Sequence, residues 1–152
     1  MLSDVFYGGI NNMTTLKGKK IKMTQVWKDG KVEPVSVISI TEGDLSNLQI
    51  GDLVKVSGIT RGRGFAGVVK RHGFHGGPQT HGAKNRMRHS GSIGNTSPQR
   101  VIPGRRMAGH LGTTRCTVIN LRIVEVDAEK RTVLICGAVP GYNKRSVLEI
   151  AK

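Results

Sequence analysis

The stretch of sequence that decides the fold reads Leu53-Val-Lys-Val-Ser-Gly-Ile-Thr-Arg-Gly-Arg-Gly-Phe-Ala-Gly-Val-Val-Lys-Arg-His-Gly-Phe74. Its first seven residues alternate in polarity, with Val54 and Val56 on one face, and this period of two predicts a strand. After Thr60 the alternation stops, and glycine and basic residues replace the apolar ones. The sequence therefore predicts that a folded strand leads directly into a Gly-rich basic segment.

The basic segment belongs to a longer block, from Leu53 to Val124, that contains neither aspartate nor glutamate. This block carries thirteen Lys and Arg side chains and all five histidines, whereas the rest of the chain is nearly neutral. The net charge of +14 is thus concentrated in one internal region. Clustered positive charge of this size indicates a polyanionic partner, either nucleic acid or an acidic membrane surface.

The glycine content favours nucleic acid over a membrane. Twelve glycines lie between Arg61 and Arg115, and each costs a helix about 1 kcal/mol relative to alanine. The amphipathic helix that binds membrane surfaces is therefore not expected here. No run approaches the length of a transmembrane helix, and residues 1–12 lack the features of a signal or transit peptide. We expect a cytoplasmic protein without a membrane partner.

Apolar, β-branched runs outside the Gly-rich segment predict about six strands, mostly antiparallel. Asp29-Gly30 separates two of these runs, which is a strong hairpin signal. A bulge is expected near Ile123, where the apolar phase slips. Besides Leu53–Ile59, the runs are Lys17–Trp27, Val32–Ile40, Cys116–Val126, Thr132–Ala138 and Ser146–Ile150. Together they predict a mainly β fold that closes as a small antiparallel β-barrel.

The Gly-rich segment is predicted to be a long, irregular internal loop. Phe65, Val68 and Val69 predict one short helical turn that ends at Gly73, and residues 75–112 follow neither the helical nor the strand period. We expect a single domain over residues 1–152, with the barrel in about 16–60 and 114–150 and the loop in about 61–113. Residues 1–15 are expected to be a loose start.

Three single residues carry further expectations. Cys116 and Cys136 lie in apolar, strand-like runs, so we expect small buried hydrophobic side chains rather than a disulfide or a metal pair. Free thiols suit a reducing compartment. Trp27 is expected to be a core or edge aromatic residue.

Enzyme and cofactor functions are disfavoured by the same block. Gly62–Gly67 matches the G-x-G-x-x-G pattern, but no acid follows until Glu125, so the ribose contact of a dinucleotide site is missing. His72, His75 and His81 have no cysteine or carboxylate nearby to complete a metal site. The block also has no carboxylate base and none of the metal-binding acids that phosphoryl transfer needs. We expect no enzyme activity, cofactor, metal or small-molecule substrate.

The composition also narrows the kind of nucleic acid. Only Phe65 and Phe74 are aromatic in the block, whereas single-strand binders use several stacking platforms. The glycines disfavour a DNA recognition helix. A merely solvated basic tail is disfavoured, because the block is internal and carries scattered Phe, Ile, Met and Pro residues. An extended basic segment that follows folded RNA through phosphate and 2′-hydroxyl contacts remains.

Several motifs resemble the bacterial-type ribosomal protein L3 family of the large ribosomal subunit. They occur in order along the chain, from about Leu16 to Ile150, and together they are specific. The motifs are Lys19-Lys-Ile-Lys-Met-Thr-Gln25, Gly64-Phe-Ala-Gly-Val-Val-Lys-Arg-His-Gly-Phe74, Gly76-Gly-Pro-Gln-Thr-His-Gly82, Ser90-Gly-Ser-Ile-Gly94, Arg105-Arg-Met-Ala-Gly109 and Gly137-Ala-Val-Pro-Gly141.

The resemblance implies a translation-protein-type barrel that contacts neighbouring ribosomal proteins and supports early subunit assembly. It also implies an internal loop that runs along 23S-type rRNA toward the peptidyl-transferase centre, in a cytoplasmic rather than an organellar ribosome. With the charge pattern, it assigns rRNA contact to Lys19, Lys20, Lys22, Arg61, Arg63, Phe65, Lys70, Arg71, His72, Phe74, His75, His81, Lys84, Arg86, Arg88, His89, Arg100, Arg105, Arg106, His110 and Arg115. It places at the loop tip Ser92, Ile93, Gly94, Asn95, Thr96, Ser97, Pro98 and Gln99.

Two departures from the family pattern limit which of the family's properties are expected for this chain. Most bacterial members have several dozen more residues between the strands that end at Ile40 and begin near Leu53, where this chain has about ten, so their extra subdomain is expected to be absent or nearly so. The tip reads Asn95-Thr-Ser-Pro-Gln-Arg100, which differs from the methylated form of some members, and methylation is not carried over. A free-standing RNA chaperone or regulator on the same barrel is the alternative function.

Overall fold

The computed structural model describes residues 15–28 and 30–152. The expected loose start and the Asp29 position of the predicted turn therefore lie outside the described residues, apart from Thr15, which begins a strand. The chain divides into two compact units. One consists of residues up to 60 together with Arg115–Lys152, and the other is Arg61–Thr114.

Strands dominate the described residues. They are β1 (Thr15–Lys28), β2 (Lys31–Glu42), β3 (Leu53–Ile59), β4 (Phe65–Ala66), β5 (Gly109–His110), β6 (Arg115–Asp127), β7 (Thr132–Cys136) and β8 (Val147–Ala151). One helix, α1 (Val68–His72), and two 3₁₀ turns, Leu45–Asn47 and Lys84–Arg86, accompany them. None of the helices in the described part of the chain has the length and hydropathy that crossing a membrane requires.

The six long strands form one antiparallel sheet with the order β1-β2-β7-β6-β3-β8. The sheet closes as a barrel because β8 pairs with β1 on one side and with β3 on the other. Each of these strands therefore has two hydrogen-bonded neighbours, and no long edge is left to pair with another chain. The prediction of a mainly β, antiparallel fold is confirmed.

The core lies inside this sheet and follows the alternation seen in the sequence. In β3, Val54 and Val56 are buried, whereas Leu53 and Ile59 at its ends are exposed. The same alternation contributes Val133 and Ile135 from β7. Other members of the apolar core are Leu16, Ile38, Ile40, Leu48, Ile123, Val139, Leu148 and Ile150.

The strand pairing confirms the predicted bulge and shows that the connection between β6 and β7 is shorter than the sequence predicts. The register between β6 and β7 shifts between Ile123 and Glu125, where the apolar phase slips in the sequence. The connection between these strands has four residues, 128–131, whereas the predicted runs Cys116–Val126 and Thr132–Ala138 leave five residues between them. Residues 43–52 connect β2 to β3 as a short segment, and Leu48 anchors it by packing into the core.

Side-chain burial corrects two expectations. Cys116 is exposed and Cys136 is half-buried, although both are free thiols as expected. The prediction that both are buried was wrong because Cys116 lies near the start of β6, where most side chains are exposed. Trp27 is 71% exposed near the end of the β1–β2 hairpin, so it is not a core residue.

Lys20 is another correction, because its side chain enters the barrel instead of facing solvent. Only 5% of the residue is exposed, and its Nζ donates a 2.9 Å hydrogen bond to the Val139 carbonyl oxygen. Burial disfavours the charged form and lowers the pKa of this amine below its ordinary value of 10.5. An ammonium group held this way is not available to a phosphate, so Lys20 does not belong to the rRNA-binding set.

Replacing Lys20 with methionine should change how stability depends on pH. Between its lowered folded pKa and 10.5, the unfolded chain holds the Lys20 proton more tightly than the folded chain. The unfolding free energy of the native protein therefore gains a contribution that is complete above pH 10.5 and is lost as the pH falls through the folded value. Urea unfolding from pH 8 to 11 should show wild type gaining on Lys20→Met as pH rises; parallel curves would contradict this.

Candidate nucleic-acid interface

The two ends of the Arg61–Thr114 unit run side by side. β4 pairs with β5, Phe65 opposite His110, and the ladder continues through Arg63 N–H, which donates to the Leu111 carbonyl oxygen at 2.8 Å. Gly112 permits this close approach, since a Cβ at that position would lie 2.1 Å from the Arg61 carbonyl oxygen. The long segment therefore begins and ends at one hydrogen-bonded base.

Helix α1 stands directly after this base and ends where the sequence predicts. Gly73 takes the left-handed conformation, φ 73°, and its N–H donates to the Val69 carbonyl oxygen, which is the usual glycine stop. Phe65 is not part of the helical turn, contrary to the prediction. It lies in β4, because pairing with β5 keeps its backbone extended.

Two side chains of α1 converge on one backbone oxygen of the return segment. Arg71 Nη1 donates to the Met107 carbonyl oxygen at 2.8 Å, and His72 Nε2 lies 3.0 Å from the same oxygen. These contacts tie the outgoing and returning segments together beyond β4 and β5. Sequence reasoning missed Met107 as an anchor, because a backbone acceptor leaves no signature in the residue type.

A second arginine fixes the segment that the sequence assigns to the tip. Arg105 Nη2 donates to the Ser92 carbonyl oxygen at 2.8 Å. Ser92 Oγ in turn donates to the Gly94 carbonyl oxygen, and Asn95 Oδ1 accepts from Thr96 N–H. All residues from 91 to 100 are exposed. The predicted tip residues therefore form an exposed, irregular segment with local polar bonds.

Most basic side chains of this unit have no protein partner. Seven of them are exposed and make no side-chain hydrogen bond or ion pair with any described residue: Arg63, Lys70, Lys84, Arg86, Arg88, Arg100 and Arg106. The unit contains no carboxylate that could neutralise them. Their charges therefore face solvent uncompensated, which makes this surface strongly attractive to an anion.

The barrel unit shows the opposite pattern. Lys17 pairs with Glu42 at 2.8 Å and Arg122 with Glu33 at 2.6 Å. Arg115, assigned to rRNA by the sequence, is bound to Glu149, and its hydrogen bond holds the pKa of that carboxyl below its ordinary value. Among the residues that the sequence assigns to rRNA contact in the barrel unit, Lys19 and Lys22 are exposed on β1.

The histidines and phenylalanines are divided between a cavity and other surfaces. Four histidines line a cavity of about 1110 Å³ within the Arg61–Thr114 unit: His72, His75, His81 and His89. Phe74 also lines it, together with Lys84, Arg86 and Arg106. His110 lies apart and bonds to Thr113 Oγ1 at 3.0 Å, while Phe65 is 80% exposed. No group of His, Cys, Asp and Glu among residues 15–28 and 30–152 has the arrangement of a metal site.

Fold and surface define the class as a mainly β protein with a basic unit, Arg61–Thr114, that contains no carboxylate. Comparison with known proteins identifies the family: the model of the family described as ribosomal protein L3 matches residues 38–138. This chain belongs to the ribosomal protein L3 family, which confirms the resemblance read from its motifs. Membership in a family of structural ribosomal proteins also supports the expectation that the chain is not an enzyme.

Three relatives show the extent of the similarity. The large ribosomal subunit protein uL3 of Herpetosiphon aurantiacus is 53% identical over 110 residues, which cover 70% of this chain and 52% of that protein. The uL3 protein of Dehalococcoides mccartyi is 42% identical over 132 residues, 84% of this chain and 63% of that protein. The uL3m protein of Schizosaccharomyces pombe is 54% identical over 95 residues, 62% of this chain and 37% of that protein. The chain thus spans between about a third and two thirds of these relatives.

The base of the basic unit can be tested with a matched pair of glycines. Gly112 and Gly64 both have positive φ, 84° and 66°, but a Cβ at Gly64 would meet nothing within 4 Å. Gly64→Ala should therefore cost about 1 kcal/mol from backbone strain alone. Gly112→Ala should cost roughly 2 kcal/mol more, because the backbone must also move. Native-state exchange of the Arg63 amide measures both; equal costs would contradict the close approach.

The Arg105 bond can be tested against its neighbour Arg106. Arg105→Ala removes the donor to the Ser92 carbonyl oxygen, worth about 1.5 kcal/mol for a charged donor, so the NMR order parameters of the amides across residues 91–97 should fall. Arg106→Ala removes the same charge without removing a bond and should leave those amides unchanged. An equal fall in the order parameters in both variants would show that charge, rather than the bond, orders the segment.

Proposed function

We propose that this chain is a structural constituent of the large ribosomal subunit and that residues 61–113 bind 23S-type rRNA. The observation that carries the proposal is the set of seven exposed, unpartnered cations on a unit without a single carboxylate. The phosphate backbone of a nucleic acid is the cellular polyanion that matches such a surface, because each phosphate that the protein neutralises releases bound counterions. Family membership agrees with this chemistry.

The irregular backbone favours folded RNA over other nucleic acids. The unit has one five-residue helix, so no element is long enough to read a DNA major groove. Most of its arginines lie outside helices and strands, and guanidinium groups bind phosphates in a bidentate manner. Recognition therefore rests on phosphate positions and 2′-hydroxyl groups, whose arrangement reports the RNA shape.

Different parts of the chain take different roles in this proposal. The exposed segment Ser92–Gln99 would be the part that approaches the peptidyl-transferase centre, with Arg105 holding its start. The closed sheet would be a translation-protein-type barrel, with Lys19 and Lys22 near rRNA and other outer surfaces against neighbouring ribosomal proteins. Binding by such a unit before the subunit is complete would support early assembly, in a cytoplasmic ribosome.

Salt dependence tests the phosphate contacts. With on the order of 8–10 contacts, the logarithm of the affinity for rRNA should fall with the logarithm of salt concentration at a slope of about −6 to −9. Arg88→Ala should make the slope shallower by about 1. Lys130→Ala, which removes an equally exposed charge from the barrel, should leave the slope unchanged, since Lys130 is paired with Asp127. A wild-type slope near −1 would refute the phosphate contacts.

Sedimentation separates a subunit constituent from a free-standing RNA chaperone or regulator. A constituent should remain with the large subunit through high-salt washing, whereas a chaperone should be released. This readout is independent of the salt slope, because both kinds of protein can bind RNA through many phosphates.

A further inference from the structure

The cavity in the basic unit has the size of a ligand site and an unusual wall. Its volume of about 1110 Å³ is slightly above the range typical of small-molecule sites, about 300–1000 Å³. Its wall comes from residues 72–91, with Arg106 from the returning segment. The family resemblance and the charge pattern account for the basic surface but not for an open, concave space within it.

The cavity is built by a close approach of two backbone segments. Gly77 N–H donates to the Met87 carbonyl oxygen at 3.0 Å. A Cβ at Gly76 would lie 1.9 Å from that oxygen, and one at Gly77 would lie 2.8 Å from the Arg86 carbonyl oxygen. The glycines thus let the segment around Gly77 and the segment around Met87 form a direct backbone hydrogen bond in this wall.

The wall combines flat rings with positive charge. The His72 and Phe74 rings lie with their centroids 6.0 Å apart at an interplanar angle of 44°, and His72 is oriented by its contact with the Met107 carbonyl oxygen. Lys84, Arg86 and Arg106 supply the charge, and no acid is present. Rings suit the face of a planar heterocycle and cations suit a phosphate, so the matching ligand is a nucleotide.

We propose that this cavity receives one unpaired nucleotide of the bound RNA, with its base against Phe74 and His72 and its phosphate near Arg106. The inference rests on the proposed RNA-binding function. Exposed cations continue beyond the cavity, where the neighbouring phosphates of an RNA chain can bind them. A free nucleotide has no such neighbouring phosphates, so an RNA nucleotide is favoured. Four of the exposed basic residues without a protein partner lie outside the wall: Arg63, Lys70, Arg88 and Arg100.

Binding of the full-length chain to three hairpin RNAs tests the inference. One hairpin carries a three-adenosine bulge, the second carries the same bulge with abasic sugars, and the third is fully paired. The adenosine bulge should bind about tenfold more tightly than the abasic one, since base stacking has this magnitude. Equal affinity for both bulges overturns the cavity inference and leaves RNA binding intact. Failure to bind any of the three overturns the proposed function and the inference with it.

Two phenylalanine variants assign the base to the cavity. Phe74→Leu keeps apolar volume but removes the ring, so the ratio between adenosine and abasic bulges should fall toward one. Phe65→Leu removes an 80% exposed ring of the same unit outside the cavity, and the ratio should be kept whatever happens to total affinity. Loss of the ratio in Phe65→Leu alone would place the base elsewhere.

A spectroscopic readout covers the case in which Phe74→Leu fails to fold. In wild-type protein with labelled phenylalanine, the Phe74 ring signals should shift on addition of the adenosine bulge and stay in place with the abasic bulge. Adenosine monophosphate alone should cause no saturable shift at micromolar concentration. If the mononucleotide saturates the site there, the cavity is a free-nucleotide site and the assignment to RNA is wrong.

Discussion

The uncompensated charge of residues 61–114 is the constraint on which the rest of the structure depends. Without a carboxylate in this unit, its cations bind backbone carbonyl oxygens or remain in solvent. Mutual repulsion disfavours a compact apolar arrangement, so the unit relies on hydrogen bonds and glycine contacts rather than on a large core. In the unit, only Ala66 and Val68 are buried apolar residues.

The barrel unit differs from the basic unit in both its apolar core and its charge. Its apolar residues alternate with polar ones, and closure of the sheet leaves all six long strands paired. Its acids neutralise its basic residues on the outer surface, as Glu149 does for Arg115 and Glu42 for Lys17. Exposed ion pairs of this kind stabilise a fold only slightly, but the acids offset most of the barrel unit's positive charge, so ten of the fourteen net positive charges lie in the other unit. The concentration of positive charge in one unit is what the proposed RNA contact requires.

Local patterns were sufficient to predict most elements, because strand faces and glycine stops depend on neighbouring residues. The alternation from Leu53 to Ile59 and the stop at Gly73 are of this kind. The failures involve residues whose environment is made by distant segments. Lys20 follows the basic pattern of its strand, but Val139, 119 residues away, supplies the oxygen that holds it inside. Phe65 is extended because β5 pairs with it from 45 residues further along the chain.

The sequence by itself determined the charge separation, the antiparallel strands and the family, since these depend on residue types and their order. Only the tertiary structure decided which cations are free. Lys20, Arg71, Arg105 and Arg115 are engaged by carbonyl or carboxylate oxygens, whereas Arg106 is not, although its residue type is the same. Likewise, no sequence pattern predicts the open cavity that Phe74 lines. Both outcomes depend on which backbone oxygens and rings the folded chain brings within a few ångströms.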